Sequence, residues 1–503
     1  MNRTRNSIYN FSMAFISNAA VAVIGFIAQK VFLSVLGEQY NGVNGLFANI
    51  ISLLSVAELG LGTAIIYNLY KPIAEDNKEA IKSLMAFYKT SYRKIAIVVA
   101  VLGICIIPFL NLIVGSVDIK ENIYVIYLLF LCDTVISYLL IYKQAIINGY
   151  QKNYIINIVY LLYVVAFNVT DIVVLLFTRN YYLYLIVKIV CRFIQNYIIK
   201  IIADRLYPFI NEKADELDVG IKKDIYQKVK ALIYHKIGSI AILGSDNIII
   251  SMLIGITAVG YYTNYRMIIY QVQTFFTQIF NSLTAIVGNL LVAEDTAKNL
   301  EVYKKLSFVN FWLSTLSSTC LFVIMDSFIS LWIGEQWLLG DEVLLLLVIN
   351  FYLQTMRNCI NIFKEAAGIY YQDRFIPFVE LGVNIVASVI LAQSFGLAGI
   401  FVGTIISNLV LHLFSYPYFV NTKLFGQSYS AYYSIFFKKF LVMGSVLAIC
   451  YGISRVITIN NLWLSFFANC AIAIVISNII LILLYRKTKE YDFFKKLILS
   501  KIK

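Results

Sequence analysis

Apolar segments of about 20 residues recur along the whole chain and alternate with short polar or charged segments, and a helix of that length spans a bilayer. At about 35 residues for a helix and its loop, 503 residues correspond to about 14 spans. We therefore predict an all-α integral membrane protein. The predicted spans are 11–36, 42–68, 95–115, 123–142, 154–177, 182–203, 232–254, 258–283, 307–329, 342–363, 375–394, 398–419, 439–458 and 462–485.

The connections between these spans alternate in character. One set is short and nearly free of Lys and Arg, as in Gly37–Asn41 and Ser116–Asn122. The other set is longer and basic, as in Lys71–Lys94, Arg205–Lys230 and the tail Arg486–Lys503. Because Lys and Arg concentrate in the cytoplasmic loops of membrane proteins, the pattern predicts that both termini and all long loops lie in the cytoplasm.

The composition is typical of a membrane protein. Hydrophobic residues form 60% of the chain and charged residues 14%, against about 25% charged residues in soluble domains. The net charge of +13 follows from the basic cytoplasmic loops, so we expect no nucleic-acid partner. All seven cysteines lie in apolar runs without metal-like spacing, so neither a disulfide nor a zinc site is expected.

The basic loop Asn77–Lys94 has an apolar face. Two interpretations are open for it: a helix that lies on the anionic inner leaflet, or a plain connector. A segment ahead of the seventh span has a similar pattern. The apolar positions are Ile81, Leu84, Met85 and Tyr88 in the first loop, and Ile221, Ile225 and Val229 in the second.

A weak internal repeat links two hairpins. Gly37 and Gly42 have the spacing G-x4-G after Leu36, and Gly255 and Gly260 have the same spacing after Ile254. Glycines at such turns let helices approach closely. A repeated hairpin favours a molecule of two lobes that share one design, as in many transporters.

Ionisable residues inside the predicted spans are the main candidates for function. A single Lys, Arg or Asp near the centre of a span costs about 2.5–3.5 kcal/mol in insertion experiments, so most of these side chains must face water or one another. At a rise of about 1.5 Å per residue, Arg192 lies ~15 Å and Arg266 ~12 Å into their spans. The cations are Lys30, Lys188, Arg192, Arg266 and Arg357, and the anions are Glu58, Asp133, Asp171, Asp246, Asp326 and Glu380.

Lys188 and Arg192 are four residues apart and share a helical face. With Arg266 on the eighth span, they predict a cationic cavity for a multiply negative ligand, because Arg binds phosphate oxygens in a fork. The alternative is a set of internal salt bridges that fix helix packing, such as Arg266 with Asp246.

No Walker loop, dinucleotide fingerprint or HExxH motif is present in the sequence. The longest predicted outer loop, Ser330–Asp341, is short for an enzyme that acts on sugars outside the cell. We therefore predict a transporter and no enzyme. Three alternatives remain: a multidrug exporter, which needs an acidic cavity for cationic drugs, a membrane polysaccharide polymerase or ligase, and a scaffold without transport.

Five stretches carry a family resemblance. NSIYNF near the start and LGEQYNGVNGLFANIISLLSVAELGLGTAIIYNLYKPIAEDN (Leu36–Asn77) resemble the N-terminal signature of Wzx-type polysaccharide flippases of the multidrug/oligosaccharidyl-lipid/polysaccharide (MOP) exporter superfamily. GSDNIIISMLIG with VGYYTNYRMI (Gly244–Ile268) resembles their second-lobe opening, and LWIGEQW with FGLAGIFVGTIISN is similar to later segments.

The resemblance implies an inverted-V architecture in a bacterial cell membrane, with two six-helix lobes and two further helices. We expect an N-terminal lobe at 1–203, a cytoplasmic connector at 204–231, a C-terminal lobe at 232–420, and the last two spans with the basic tail at 421–503. It further implies alternating access and movement of an undecaprenyl-diphosphate-linked oligosaccharide to the outer leaflet, with membrane lipids, a polysaccharide polymerase and other assembly proteins as partners.

The roles of individual residues are inferred from their charge and their depth in the predicted spans, and Asp246 and Arg266 also lie inside a matching stretch. No cofactor is expected, and the driving force would be a gradient of H⁺ or Na⁺, the membrane potential, or consumption of the product. We predict that the diphosphate is bound by Arg192, Arg266, Lys30, Arg357 and Lys188, and that Asp246, Asp133, Asp171 and Glu58 couple transport to the ion.

Overall fold

The computed structural model describes residues 3–58, 61–369, 375–457 and 459–499. Every regular element in these residues is helical. Nine helices among them are long and apolar enough to cross a membrane. The predicted class, an all-α integral membrane protein, is confirmed.

The chain folds into two compact units, Met1–Gly260 and Tyr261–Lys503. The four-part division predicted from the sequence stays a prediction. The helices that begin in the N-terminal unit are α1 (Arg3–Leu36), α2 (Glu38–Leu54), α3 (Leu61–Ala74), α4 (Lys78–Ile106), α5 (Leu110–Val114), α6 (Ile123–Leu140), α7 (Tyr142–Gly149), α8 (Asn153–Thr178), α9 (Tyr181–Leu206), α10 (Val219–Leu253) and α11 (Ile256–Asn281).

The remaining helices of the C-terminal unit are α12 (Thr284–Ala293), α13 (Thr296–Trp332), α14 (Asp341–Ala366), α15 (Ile376–Val410), a π-helical segment Leu411–Leu424, α16 (Tyr429–Val456), α17 (Leu462–Ala471), a π-helical turn Ile472–Ile476, α18 (Ser477–Tyr485) and α19 (Lys489–Leu499). In this unit α13 lies in the middle and packs against α14, α16 and α17. In the N-terminal unit α8 packs between α1 and α9, and α6 packs between α4 and α9.

The predicted spans coincide with helices or with pairs of consecutive helices, and two pairs depart from simple rods. The span predicted at 42–68 contains a 3-10 turn, Ser55–Glu58, between α2 and α3, and residues 59–60 within it lie outside the described part. The spans predicted at 375–394 and 398–419 are separated only by a kink at Gly396, where φ is 55° and ψ is −133°. Residues 370–374 of the preceding loop also lie outside the described part.

The interpretation of Asn77–Lys94 as a helix on the membrane surface is wrong. These residues form the first half of α4, which continues into the predicted span without a break. The apolar face packs inside the N-terminal unit, where Ile81, Leu84, Met85 and Tyr88 are all buried. Ile225 is buried in the same way near the start of α10. The sequence showed an apolar face but not what would cover it.

The connector after α9 is fixed by a buried lysine. Lys143 on α7 is 1% exposed, and its Nζ lies 2.6 Å from Oδ1 of both Asp204 and Asn211. Burial opposes the charge of Asp204, but the bonds donated by Lys143 and Asn211 hold the pKa of this carboxyl below its usual range. The 3-10 turn Pro208–Asn211 is thereby held against α7.

The two glycine hairpins of the sequence repeat have equivalent geometry. Gly37 separates α1 from α2 with φ of 86°, and Gly255 separates α10 from α11 with φ of 123°, values that favour glycine. A methyl group on Gly42 would overlap the backbone oxygen of Ile256, and one on Gly260 would overlap that of Glu38. The two hairpins therefore contact each other backbone to backbone within the Met1–Gly260 unit.

Candidate functional site

Three charged side chains meet between α6 and α9 in the N-terminal unit. Asp133 on α6 faces Lys188 and Arg192 on α9, which share one face of that helix as predicted. The Asp133 carboxylate lies 3.9 Å from Lys188 Nζ and 3.6 Å from Arg192 Nε. Charge-assisted N–H···O bonds are about 2.7–2.9 Å long, so both cations are attracted to Asp133 without being fully engaged by it.

Aromatic rings supply the other contacts of these cations. Lys188 Nζ lies 4.7 Å from the centroid of the Phe130 ring, and Arg192 Cζ lies 5.0 Å from that of Tyr163. A ring face attracts a cation but accepts no strong hydrogen bond. The N–H groups of Arg192 thus keep donor capacity, and its Nε has no hydrogen-bond acceptor among the described residues.

Asp171 on α8 lies in the same unit and is 3% exposed. Neither of its carboxylate oxygens receives a hydrogen bond from the described residues. The cation whose charge acts on it is Lys188. A buried carboxylate without a donor is costly when it is ionised. Asp171 is therefore a suitable group to take up and release a proton.

Lys30 on α1 has an exposed side chain. No described carboxylate lies within ion-pair distance of it, so its charge is not neutralised by the part of the chain that the structure describes. Of the five predicted phosphate ligands, Lys30 is thus the one without a hydrogen-bond, ion-pair or aromatic partner among the described residues.

Arg266 on α11 has neutral partners within the C-terminal unit. Its Nη1 donates to Gln273 Oε1 at 3.0 Å, and Gln273 in turn donates to Gln354 Oε1 at 2.7 Å. The guanidinium also lies 5.9 Å from the ring of Tyr270. Among the described carboxylates of this unit none forms an ion pair with Arg266, so its positive charge is oriented but not neutralised there.

Arg357 on α14 has a different environment. Its Nη2 donates to Glu380 Oε1 at 2.6 Å and to the backbone oxygen of Asn408 at 3.0 Å. The side chains of Arg357 and Glu380 are 15% and 4% exposed. The short ion pair neutralises the charge of this guanidinium, and its two acceptors tie α14 to both halves of α15, while the Nε of Arg357 has no hydrogen-bond acceptor among the described residues.

The remaining predicted carboxylates lie apart in the N-terminal unit. Glu58, in the 3-10 turn after α2, accepts a hydrogen bond from the hydroxyl of Tyr92 on α4. Asp246 on α10 is buried, with 6% exposure, beside the buried residues Ser245 and Asn247. Asn247 Nδ2 donates to the backbone oxygen of Gly45 on α2 at 3.4 Å. Both carboxylates thus lie where α2 and its following turn pack against other helices.

The sequence did not reveal the neutral partners of these charges. Tyr163, Gln273 and Asn408 are each in contact with a predicted site residue. All three are polar residues inside predicted spans, which is the one signal that could have drawn attention to them. The structure groups Asp133, Lys188 and Arg192, and it separates Arg357 from them by giving it an acidic partner of its own.

Comparison with solved structures finds the same fold in membrane transporters. The lipid II flippase MurJ in an inward closed conformation has a TM-score of 0.68 at 13% identity, over 95% of this chain and 99% of that protein. An inward-facing multidrug resistance MATE family transporter of the MOP superfamily has a TM-score of 0.58 at 14% identity, over 78% and 94%. A mutant of the Vibrio cholerae MATE transporter VcmN has a TM-score of 0.56 at 15% identity, over 81% and 94%.

No protein-family model and no curated protein sequence matches the chain. The identities of 13–15% show a shared fold and do not establish a shared substrate. The chain shares its fold with MurJ over 95% of its length and with the MATE family transporter of the MOP superfamily over 78%.

Proposed function

We propose that this protein is a flippase that moves an undecaprenyl-diphosphate-linked oligosaccharide from the inner to the outer leaflet by alternating access, for surface polysaccharide biosynthesis. One observation carries the proposal. Arg192 and Lys188 in the N-terminal unit and Arg266 in the C-terminal unit lie deep in helices, and none has a short bond to a carboxylate of its own unit. Such cations are costly in a membrane unless an anion binds to them.

In the N-terminal unit, the exposed Lys30 would attract the diphosphate, and Arg192 and Lys188 would exchange their long contacts with Asp133 for short bonds to phosphate oxygens. In the C-terminal unit, Arg266 offers a fork of donors oriented by Gln273, and its part in phosphate binding stays a prediction from the sequence. Tyr and Asn side chains contact the sugars, while the polyprenyl tail stays in the bilayer.

Asp171 is the acid best suited to couple transport to a proton, because it is buried without a hydrogen-bond donor among the described residues. Asp133 would be freed when phosphate replaces it as a partner of Arg192. Glu58 and Asp246 stay candidates from the sequence. Moving one charge across 100 mV supplies about 2.3 kcal/mol, so a single coupled proton changes the transport equilibrium substantially.

The fold likeness supports two substrate classes. MurJ is named a lipid II flippase, which favours a lipid-linked anionic substrate, whereas the MATE proteins are multidrug transporters. A cavity for cationic drugs needs uncompensated carboxylates. Among the described residues, the incompletely neutralised groups that we assign to the ligand are Arg and Lys, and the acids near them are Asp133, which already faces two cations, and Asp171, so we favour the lipid-linked diphosphate. The solved structures compared above are named as a flippase and as multidrug or MATE transporters, and these names do not favour a polymerase or ligase.

The test is translocation in proteoliposomes. Purified protein is reconstituted with a fluorescent undecaprenyl-diphosphate oligosaccharide, and the fraction in each leaflet is read with an impermeant reductant. We expect translocation by the wild type and a loss on the order of tenfold in Arg192→Ala and in Arg266→Ala, because a hydrogen bond to a charged group contributes about 1.5–3 kcal/mol.

Arg205→Ala is the matched control, because Arg205 is an exposed arginine at the end of the same helix as Arg192. It should translocate like the wild type. Unchanged rates in both site variants would refute the site assignment. Transport of a cationic dye in place of the lipid would favour the multidrug exporter, and new polymer in the vesicles would favour the enzyme.

A further inference from the structure

A cavity of about 360 Å³ opens at one end of the C-terminal unit. It lies between α13, α14, the π-helical segment, α16 and the turn from α18 to α19. None of the residues assigned above to the diphosphate or to ion coupling lines it. Its function must therefore be considered separately from that of the transport site.

The spans predicted from the sequence put the cavity near the depth of lipid headgroups. Each of these helices contributes lining residues close to the end at which its predicted span meets a basic loop. The lining residues nearest to these ends are Tyr303 before the span 307–329, Ile360 near the end of 342–363, Lys438 before 439–458, and Tyr485 at the end of 462–485. Tyr and Lys are typical of the membrane–water interface.

The polar side of the cavity is cationic. Lys304, Lys438 and Lys439 line it together with one acid, Glu490. Lys439 is held in place by its Nζ, which lies 2.8 Å from Ser307 Oγ and 3.2 Å from the Ser307 backbone oxygen. Lys304 and Lys438 are exposed, and no described carboxylate lies within ion-pair distance of either. The cavity thus offers two free ammonium groups and one fixed one to an anion.

The opposite side is apolar. Phe308, Ile360 and Phe436 line it, with exposures of 4%, 4% and 7%, and Met356 completes it. A free phosphate or a small soluble anion gains nothing from such a wall. An amphipathic anion gains from both sides, because its charged group contacts the lysines while its chain covers the apolar residues.

We propose that this cavity binds the headgroup and upper acyl chain of an anionic phospholipid from the cytoplasmic leaflet. The proposal rests on the membrane orientation given above and not on the identity of the transported molecule. The volume is near the lower limit of about 300–1,000 Å³ found for small-molecule sites, so it accommodates part of a lipid whose remaining chain lies in the bilayer.

The experiment is native mass spectrometry of the full-length protein in detergent, titrated with phosphatidylglycerol or with phosphatidylcholine of the same chains. One variant, Lys304→Gln with Lys438→Gln, removes the free cations. A second, Met356→Trp, fills the apolar side and keeps all charges. Lys423→Gln is the control, because Lys423 is an exposed basic residue in the last turn of the π-helical segment and does not line the cavity.

We expect the wild type to bind phosphatidylglycerol on the order of tenfold more tightly than phosphatidylcholine. The double lysine variant should lose this preference, Met356→Trp should weaken binding of both lipids, and Lys423→Gln should behave like the wild type. Retention of the preference in the double variant would overturn the proposal. Inorganic phosphate should not displace bound phosphatidylglycerol. Displacement would also overturn the proposal, because a soluble anion would then be the occupant.

The assay contains no oligosaccharide lipid. A failure of the translocation test therefore leaves this result unaffected, and loss of phosphatidylglycerol binding leaves the flippase proposal unaffected. Thermal unfolding of each variant in phosphatidylcholine, with melting temperatures close to that of the wild type, shows that the variants are folded.

Discussion

The distance from each arginine to its nearest acceptors separates two kinds of buried cation. Arg357 lies 2.6 Å from Glu380 and 3.0 Å from a backbone oxygen, so its charge is already bound. Arg192 lies 3.6 Å from Asp133, and Arg266 has an amide as its side-chain acceptor. The first arrangement favours a role in packing, and the second leaves donors for a ligand.

Removing one partner of the Arg357–Glu380 pair should destabilise the protein. We expect Arg357→Met to lower the free energy of unfolding by about 3–5 kcal/mol, because Glu380 is left as an unpaired buried charge. Arg357→Met combined with Glu380→Leu should recover most of this loss. Unfolding of the purified protein in detergent, followed by tryptophan fluorescence, measures both. A double variant less stable than Arg357→Met would contradict the pairing.

The sequence identified the charged residues but not their partners. Spacing along one helix placed Lys188 and Arg192 on a common face, and the structure shows both directed at Asp133. Whether a cation meets a carboxylate, an amide or a ring depends on how the helices are rotated against each other. The pairing of Arg357 with Glu380, from two different helices, depends on that rotation and is not visible in either segment alone.

Among the helical elements, the two glycine hairpins are strongly constrained. Their turns need positive φ, and their second glycines need the absence of a side chain. Asn41 adds a hydrogen bond from its Nδ2 to the backbone oxygen of Gly260 at 2.7 Å. The same spacing in both hairpins is thus explained by a mutual contact, in which each second glycine faces the backbone of the other hairpin.

A methyl group at this contact should be poorly tolerated. We expect Gly42→Ala and Gly260→Ala each to destabilise the protein by about 1–3 kcal/mol, because the overlapping atoms belong to the backbone and cannot rotate away. Gly452→Ala on α16, where a methyl group meets open space, should be neutral or stabilise by about 0.5–1 kcal/mol. Melting temperatures of the purified variants test this, and equal behaviour of Gly42→Ala and Gly452→Ala would refute the contact.

Helix positions were predictable because apolar runs of bilayer length leave few alternatives. The apolar face of α4 was also visible, but its burial inside the N-terminal unit was not, since a sequence does not distinguish lipid from protein as the covering surface. The kink at Gly396 lies between the spans predicted at 375–394 and 398–419, where a glycine allows φ of 55°.

The whole chain combines a transporter fold with a strong charge asymmetry between its two sets of loops. The fold is shared with MurJ over 95% of the chain, and the sequence predicts that all basic loops lie on one side of the membrane. That orientation also determines which leaflet presents the substrate and which leaflet meets the cavity lined by Lys304, Lys438 and Lys439.

Cysteine labelling tests the orientation. In a background without native cysteines, Ser116→Cys in a predicted outer loop should react with an impermeant maleimide in intact cells. Lys213→Cys in the basic connector should react only after the membrane is permeabilised. Both positions are exposed, so access decides the outcome. Labelling of Lys213→Cys in intact cells would invert the proposed topology.

The most direct test of the central claim is the affinity of the purified protein for undecaprenyl diphosphate compared with undecaprenyl monophosphate and uncharged undecaprenol. If the cations are incompletely neutralised, the protein should bind the diphosphate most tightly, the monophosphate less tightly and the alcohol least tightly, with affinity steps on the order of tenfold. Arg192→Gln and Arg266→Gln should each reduce the preference for the diphosphate. Equal affinity for the three lipids, or an unchanged preference in both variants, would contradict it.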